Sequence, residues 1–467
     1  GRTLFAFQHD GKVEEGDEVA RVVSLSPEEG FIFKVTLSDL ENGSFEFELA
    51  GNLDHRVPGT SAKDEEDLPI EFNFTVRDSD GDTASSNFTV QVNDDSPELG
   101  GAQSATAEDE AVNGGNNEPD GYSAVATGAL NIRWGADDAD NELGGMGDRS
   151  VAFSNAANAS ANVTVSGAHG ASLTSLGQPV SFAFVNGVLV GYTGSTAPTV
   201  IGDSKVVFHV SLSDDGNGSY TFTLVQPLDH AAGDGTNGEN NLSLTFNYTA
   251  TDSDGDTVTG TFNVGVQDDV ATIGTPFAGG IVEEEQQEVA GIGNEGTQGE
   301  GDADSFGGFL GLEFRDRTTH VTGGTLAISW GSDNANDANG QPGDRSVQFG
   351  PSAISNLELL SLTSDGDAIK YTIVTVGGQQ TLLAYTGSVV PTSVPQTDSG
   401  AVSANIVFQV ALSDLGNGSY AFKLYDTLDH KGSIQGEDSQ ILNFQFTATD
   451  SDGDVTAPAT FSVKVID

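Results

Sequence analysis

Cysteine is absent from the 467 residues, methionine occurs once and tryptophan twice. Without cysteine there is no disulfide, no zinc–thiolate centre and no thiol nucleophile. Positive charge is nearly as scarce: 17 Lys and Arg stand against 70 Asp and Glu, and 17 − 70 gives a net charge of −53. Nucleic-acid phosphates and anionic lipid both need clustered Lys and Arg, so neither is an expected partner. No stretch approaches the roughly 20 consecutive apolar residues of a spanning helix, so no membrane insertion is expected.

What is present pulls in two directions. Low hydrophobicity with high net charge is the composition of disordered chains. Yet 26 Phe, set in regular alternation with polar residues, are what a packed core needs. The two agree if bound cations neutralise the carboxylates that would otherwise repel one another. The length suggests roughly two to four domains.

Self-similarity organises the chain. Asp-Ser-Asp-Gly-Asp occurs at Asp78–Asp82, Asp252–Asp256 and Asp450–Asp454. Leu-Asp-His occurs at Leu53–His55, Leu228–His230 and Leu428–His430, and Leu-Ser-Asp at Leu37–Asp39, Leu212–Asp214 and Leu412–Asp414, each followed by Asn-Gly-Ser. The offsets agree: 252 − 78 is 174, while 228 − 53 and 212 − 37 are both 175. A second set is confined to two copies. Trp134-Gly135 and Trp330-Gly331 each precede an Asp/Asn-rich loop ending in Gly-Asp-Arg-Ser-Val (Gly147–Val151, Gly343–Val347), and Tyr-Thr-Gly recurs at Tyr192 and Tyr385. The first copy lacks the Trp half. Residues 1–93 therefore read as the C-terminal part of a repeat, with full repeats at 94–268 and 269–467. The chain reads as a piece of a longer array, which accounts for the lack of a signal peptide at Gly1.

Phe31, Phe33, Val35 and Leu37 alternate with Ile32, Lys34 and Thr36, and the period of two continues in Phe45-Phe47-Leu49, Phe72-Phe74-Val76 and Phe88-Val90-Val92. Equivalent runs fill the second copy from Phe208 to Val266 and the third from Phe408 to Val465. Such alternation puts the apolar set on one face of each strand. Asn186-Gly187 fits a type I′ hairpin turn, and no segment carries a helical apolar stripe. The expected fold class is all-β: tandem antiparallel β-sandwich repeats.

The acidic motifs carry the chemistry. Carboxylates at alternate positions of a turn converge on one hard cation, and glycine lets the backbone bend round it. Asp78, Asp80, Asp82, Asp252, Asp254, Asp256, Asp450, Asp452 and Asp454 are the candidate Ca²⁺ ligands. The motif matches only the first five positions of an EF-hand loop. Thr83, Thr257 and Val455 follow where a glycine would stand, so further ligands must come from elsewhere. The alternative is a solvated hairpin turn. Asp54, Asp229 and Asp429 of Leu-Asp-His are either ligands or, with their histidines, a hydrogen-bonded corner. Asp39, Asp214 and Asp414 read as turn residues. Asp137, Asp138, Asp140, Asn141 and Asp148, and Asp333, Asn334, Asn336, Asp337, Asn339 and Asp344, are dense enough in oxygen donors for a second Ca²⁺ site. Arg149 and Arg345 read as internal bridges to carboxylates, and Trp134 and Trp330 as core residues rather than sugar platforms.

Asp94, Asp95, Asp268 and Asp269 close strands where one repeat passes into the next, and the triplets Glu108–Glu110 and Glu283–Glu285 follow soon after. Asp94, Asp95, Asp268, Asp269, Glu283 and Glu284 are thus candidates for cations shared between neighbours; the alternative is a hydrated acidic linker. Catalysis is not expected. The carboxylates recur beside turn glycines in every copy, and no Gly-x-Ser-x-Gly elbow is present.

Taken together, the Asp-Ser-Asp-Gly-Asp strand ends, the Leu-Ser-Asp…Leu-Asp-His series and the Trp-Gly…Gly-Asp-Arg-Ser-Val segment resemble the repeat domains of giant RTX-type adhesins, exported by type I secretion. The junctions resemble cadherin Ca²⁺ linkers by analogy, and the sandwich type implied is immunoglobulin/cadherin-like. The resemblance implies a secreted, extracellular or cell-surface Ca²⁺-stiffened extender in attachment or biofilm, with neighbouring repeats as partners. The Gly-Gly-x-Gly-x-Asp nonapeptides of that family are absent. Two alternatives stand beside it: a self-associating subunit of a filament, sheath or surface layer, and a carbohydrate-binding module.

Overall fold

Each alternating run becomes a strand, because one face of each is apolar and needs a partner layer. The computed structural model describes residues 2–7, 31–53, 55, 67–116, 123–140, 147–168, 172–231, 239–277, 279–284, 321–336, 343–397, 400–401, 404–430 and 439–466. In the first unit Phe31–Ser38 pairs antiparallel with Arg2–Phe7 and with Ser44–Leu49, facing a hairpin of Asp67–Arg77 and Thr83–Asn93. The middle unit sets a sheet ordered Ser150–Phe153, Asn241–Thr251, Thr257–Gln267, Ala105–Glu108 against a second sheet. That second sheet runs Thr174–Ser175, Gln178–Val185, Val188–Thr193, Val206–Ser213, Ser219–Leu224, Val125–Ala129. The last unit repeats the plan, with Ser346–Phe349, Ser439–Thr449, Ala459–Ile466 and Gly280–Glu283 opposite Lys370–Val376, Gln379–Tyr385, Ile406–Ser413, Ser419–Leu424 and Val321–Thr325.

One aromatic arrangement fills all three. Phe45 stacks on Phe88 with ring centroids 3.9 Å apart, Tyr220 on Phe262 at 4.1 Å and Tyr420 on Phe461 at 4.0 Å. Phe33–Phe72, Phe208–Phe246 and Phe408–Phe444 meet edge to face at 6.0, 6.4 and 6.3 Å. These contacts bridge the two layers in all three units, and the middle and last units each carry their own buried core. One buried cluster runs from Ala107 to Val266 and another from Ala271 to Val465. Tyr220 and Tyr420 are 1% and 3% exposed but Phe45 is 47% exposed. Val125–Ala129 and Val321–Thr325 pair beside the two tyrosines. Among the described residues no strand takes that place beside Phe45.

The sandwiches are not wholly antiparallel. Ala105–Glu108 pairs parallel with Val264–Gln267, and Gly280–Glu283 with Val463–Ile466. Each of these short strands lies near the start of its unit and runs alongside the strand that closes it. A six-residue helix, Ala353–Glu358, also departs from the expectation of strands throughout; its buried Ala353 and Leu357 lie four apart on one face. The turn at Asn186-Gly187 has φ of 51° and 83°, as a type I′ turn requires. No helix among the described residues is long and apolar enough to cross a membrane.

The long hairpin positions the acidic motifs. Asn241–Thr251 and Thr257–Gln267 are eleven residues each, roughly 35 Å at about 3.3 Å per residue. The Asp-Ser-Asp-Gly-Asp turn lies at one end and Asp268-Asp269 at the other. The turn of one unit thereby meets the strand end of the unit before it.

Candidate metal centres

Each Asp-Ser-Asp-Gly-Asp turn is held by its own first residue. Asp252 Oδ1 accepts hydrogen bonds from the Gly255 and Asp256 amides at 3.0 and 2.7 Å. Asp78 and Asp450 do the same for Gly81 and Asp82 and for Gly453 and Asp454. This local bonding folds the turn and turns the remaining carboxylate oxygens outward. What they meet there depends on the neighbour.

At the first junction the His55 amide donates to Asp254 Oδ2 at 3.1 Å, and His55 Nδ1 lies 2.9 Å from Asp94 Oδ1. Asp95 Oδ2 accepts the Ala136 amide at 2.8 Å, Asn52 Nδ2 reaches Asp137 Oδ1 at 3.0 Å, and the Ser253 amide donates to the Asp137 carbonyl. At the second junction the His230 amide donates to Asp452 Oδ2 at 3.1 Å, Asp269 Oδ2 accepts the Ser332 amide at 2.6 Å, and the Ser451 amide donates to the Asp333 carbonyl. The Ala271 amide adds a bond to Asp450 Oδ2. The two junctions are therefore built from matching contacts between equivalent residues.

The carboxylates converge. His55, Asp94 and Asp254 form one group of ligand atoms within 4.8 Å of one another, and Asp252, Asp254 and Asp256 a second. At the other junction Asp109, His230 and Asp268 form one group and Asp268, Asp333 and Asp452 another, with Asp268 in both. Asp268 and Asp333 are fully buried, and Asp452 is 2% exposed. Buried oxygens of Asp109 (Oδ1), Asp252 (Oδ2), Asp268 (Oδ2), Asp269 (Oδ1), Asp333 (Oδ1) and Asp452 (Oδ1) receive no hydrogen bond. Burial therefore drives protonation: it pushes Asp268 up to about 11, with Asp452 and Asp454 adding repulsion, and Asp450 up to about 9, with Asp452 adding to it. Asp252 rises to about 8 through burial and its contact with Asp254. Asp94 and Asp109 rise to about 6, and Asp333 well above the ordinary carboxylate range, again through burial first.

A hard divalent cation fits this donor set. Ca²⁺ takes six to eight oxygens at about 2.3–2.6 Å, and the unbonded oxygens at the second junction are carboxylate oxygens from both units. At the first junction the boundary residue Asp94 and the turn residues Asp252, Asp254 and Asp256 are the candidate holders. At the second they are Asp109 and Asp268 with Asp333, Asp452 and Asp454. The histidines are poor candidates, since both ring nitrogens of His230 already face oxygens, Asp109 Oδ2 at 3.1 Å and Asn240 Oδ1 at 3.2 Å.

Not all candidate residues share this fate. Asp78, Asp80 and Asp82 also lie within 4.8 Å of one another, but all three are exposed. Hydrogen bonding with Asp80 and the turn amides holds Asp78 below the ordinary range. Asp137 and Asp333 are tied through their backbone carbonyls to the acidic turn of their own unit and so to the junction. Asp140 is taken by Arg149, at 2.9 Å. Glu284 accepts the Leu428 amide and faces His430. Asp54, Asp337 and the side chain of Glu283 lie outside the described residues. Asp229 and Asp429 cap turns, accepting the Gly177 and Gly366 amides. Of the Glu108–Glu110 triplet, Asp109 is the residue that enters the junction group. The signal for it was the offset 284 − 109, which is 175: it accepts the Leu228 amide as Glu284 accepts that of Leu428.

The tryptophans are internal, 5% and 6% exposed. Trp134 Nε1 donates to the Gly216 carbonyl and Trp330 Nε1 to that of Gly416, so each indole is bonded to the Leu-Ser-Asp hairpin turn. Arg149 and Arg345 lie over the rings at 5.1 and 4.7 Å. Arg149 makes the expected carboxylate bridge; Arg345 instead donates to the carbonyls of Asn334, Asp414 and Gly416. Glycine follows each tryptophan for a steric reason. Gly135 and Gly331 have φ of 79° and 75°, and a Cβ there would stand 2.5 and 2.8 Å from the Asp95 and Asp269 carboxylates.

Solved structures similar to the chain include zebrafish RET cadherin-like domains 1 to 4, at 9% identity and a TM-score of 0.19, covering 86% of this chain. The chain spans 58% of that structure's length. Mouse clustered PcdhgC3 EC1-3 is 10% identical with a TM-score of 0.18, covering 86% of this chain and 77% of its own. The sialic acid binding region of a Streptococcus sanguinis SK1 adhesin is 10% identical with a TM-score of 0.12, covering 79% of this chain and 78% of its own. No curated protein matches the sequence. Residues 94–265, from the first junction to the closing strand of the middle sandwich, match the family model described as a domain of unknown function (DUF5801).

Proposed function

We propose that the chain is a Ca²⁺-stiffened run of extracellular β-sandwich repeats that acts as an extender in a bacterial adhesin of the RTX type, holding an adhesive element away from the cell surface. One observation carries the reading: at the second junction, buried carboxylates of two successive units converge with oxygens that accept no hydrogen bond, and at the first, His55 and Asp94 share a ligand group with Asp254 of the next acidic turn. Without a cation these groups repel or take up protons, and the boundary loosens. A cation held by both units fixes their relative orientation. Extracellular Ca²⁺ modules bind with dissociation constants of about 10⁻⁴–10⁻³ M, so the junctions stay open in a cytosol poor in Ca²⁺ and close outside. The carboxylates act structurally in this reading and catalyse nothing, since they are enclosed between units.

Small-angle scattering of the whole chain in millimolar Ca²⁺ and in EDTA tests this. The expected result is a monomer whose maximum dimension becomes longer and sharply defined with Ca²⁺. Identical profiles in the two buffers sink the proposal, and Ca²⁺-driven polymerisation replaces the extender with a filament subunit.

A further inference from the structure

The Trp-Gly…Gly-Asp-Arg-Ser-Val segment supplies neither its indole nor its guanidinium to the carboxylate cage, yet its loop passes through it. We propose that Arg149 and Arg345 are positioning residues for the junction centres. Each staples its loop to the indole beneath it; at the second junction that loop carries the Asp333 carboxylate to the cation, and at the first it holds Asp137 in the equivalent place. This rests on the Ca²⁺ reading above and assigns the tryptophan motif a role within it.

The contacts run in one line in both units. The indole N–H is fixed to the neighbouring hairpin turn, through Gly216 or Gly416. The guanidinium lies over the indole, and its Nη1 donates to the carbonyl of Asp138 at 2.9 Å or Asn334 at 3.3 Å. Those are the residues immediately after Asp137 and Asp333. The arginine amides bond the carbonyls of Ala139 and Ala335, one residue further along. On the other side of each aspartate, the Ala136 and Ser332 amides are held by Asp95 and Asp269 of the preceding junction. The aspartate is thus pinned on one side by the arginine and on the other by the carboxylate at the start of its unit. Arginine suits the task because a planar fork can stack and donate to several carbonyls at once, which a lysine ammonium cannot.

Electrostatics alone points the other way, which makes the proposal testable by sign. A guanidinium near a cation centre repels the cation, so deleting its charge tightens binding by Coulomb's law. Loss of positioning weakens it. The experiment uses the full chain carrying Trp134→Phe, so that Trp330 fluorescence reports on the second junction, with calorimetric Ca²⁺ titration alongside. Arg345→Gln is expected to raise the Ca²⁺ midpoint at that junction about tenfold, the scale of outer-shell losses in metal sites. Arg345→Lys should not restore it. Arg133→Gln removes the same charge from an exposed pair with Glu98 and should leave the midpoint unchanged. Melting in EDTA checks folding: the proposal requires Arg345→Gln to melt as the parent does without Ca²⁺. If it does not fold, Arg345→Lys, which keeps the charge, carries the same midpoint test. An unchanged or lowered midpoint in a folded variant overturns the positioning role while leaving the Ca²⁺ reading intact. Absence of Ca²⁺ binding by the parent overturns both.

Discussion

The turns Asp78–Asp82 and Asp450–Asp454 have the same five residues and the same internal hydrogen bonds, and opposite electrostatics. Asp78, in the open, is held below the ordinary carboxylate range by its neighbours in the turn. Asp450, against the middle unit, is pushed up to about 9 by burial. Asp252, against the first unit, behaves as Asp450 does. The difference is not in the turn. It comes from the junction, which removes water from one set of carboxylates and adds a second set from the neighbouring unit. The same acidic turn is exposed when it stands alone and buried among further carboxylates when it meets a neighbouring unit.

That comparison can be broken most directly at Asp268, which stands in both ligand groups of the second junction. Asp268→Asn is expected to destabilise the chain by about 2 kcal/mol or more in Ca²⁺, the scale of an unmet buried polar demand. In EDTA the same change should stabilise it, because the folded state no longer has to take up a proton that the unfolded state has released. Denaturant melts in the two buffers read the reversal of sign; a loss of equal size in both would show that Asp268 is an ordinary core residue.

Proton linkage gives the next effect. Asp252, Asp268 and Asp450 titrate near 8, 11 and 9 in the folded chain, all above the ordinary 3.8. The folded state therefore holds protons that the unfolded state has already released. In chelator, the stability from these groups is complete below about pH 3.8 and is lost as pH rises through 8 and beyond. Calorimetry in EDTA should record a melting temperature falling from pH 5 to pH 9. Saturating Ca²⁺, which keeps the carboxylates ionised, should flatten or invert the slope. Equal slopes with and without Ca²⁺ would remove the cation from the account.

Smaller still is Gly331→Ala. Its positive φ and the approach of Asp269 together cost about 1–3 kcal/mol, and the Ca²⁺ affinity of the second junction should fall with it; a titration unchanged from the parent contradicts the contact. The control is Asp80→Asn in the exposed turn, for which neither melting temperature nor its Ca²⁺ dependence should move measurably.

Much of this was legible in the residues. Period-two alternation locates the long strands because a half-buried strand must alternate, and three copies of one motif series mark the repeats. The parallel strands Ala105–Glu108 and Gly280–Glu283 were not legible, since four residues are too few to show a period and their pairing is set by the strand that closes the unit. Nor was the placement of Asp137 and Asp333. Within their loops they resemble Asp140, which pairs with Arg149 instead. Trp134 and Trp330 could be assigned to the core from their chemistry, but the arginine above each could not.

By itself, then, the sequence determined that the protein is a tandem all-β array with carboxylates at its recurring acidic turns and junction strand ends, because those properties follow from local periodicity and from the repeat of short motifs. The tertiary structure decided which carboxylates matter. Burial and proximity are properties of pairs of units, and Asp268, Asp333 and Asp452, 184 residues apart at the extremes (452 − 268), come within 4.8 Å of one another only when the strand end of one sandwich is set against the acidic turn of the next.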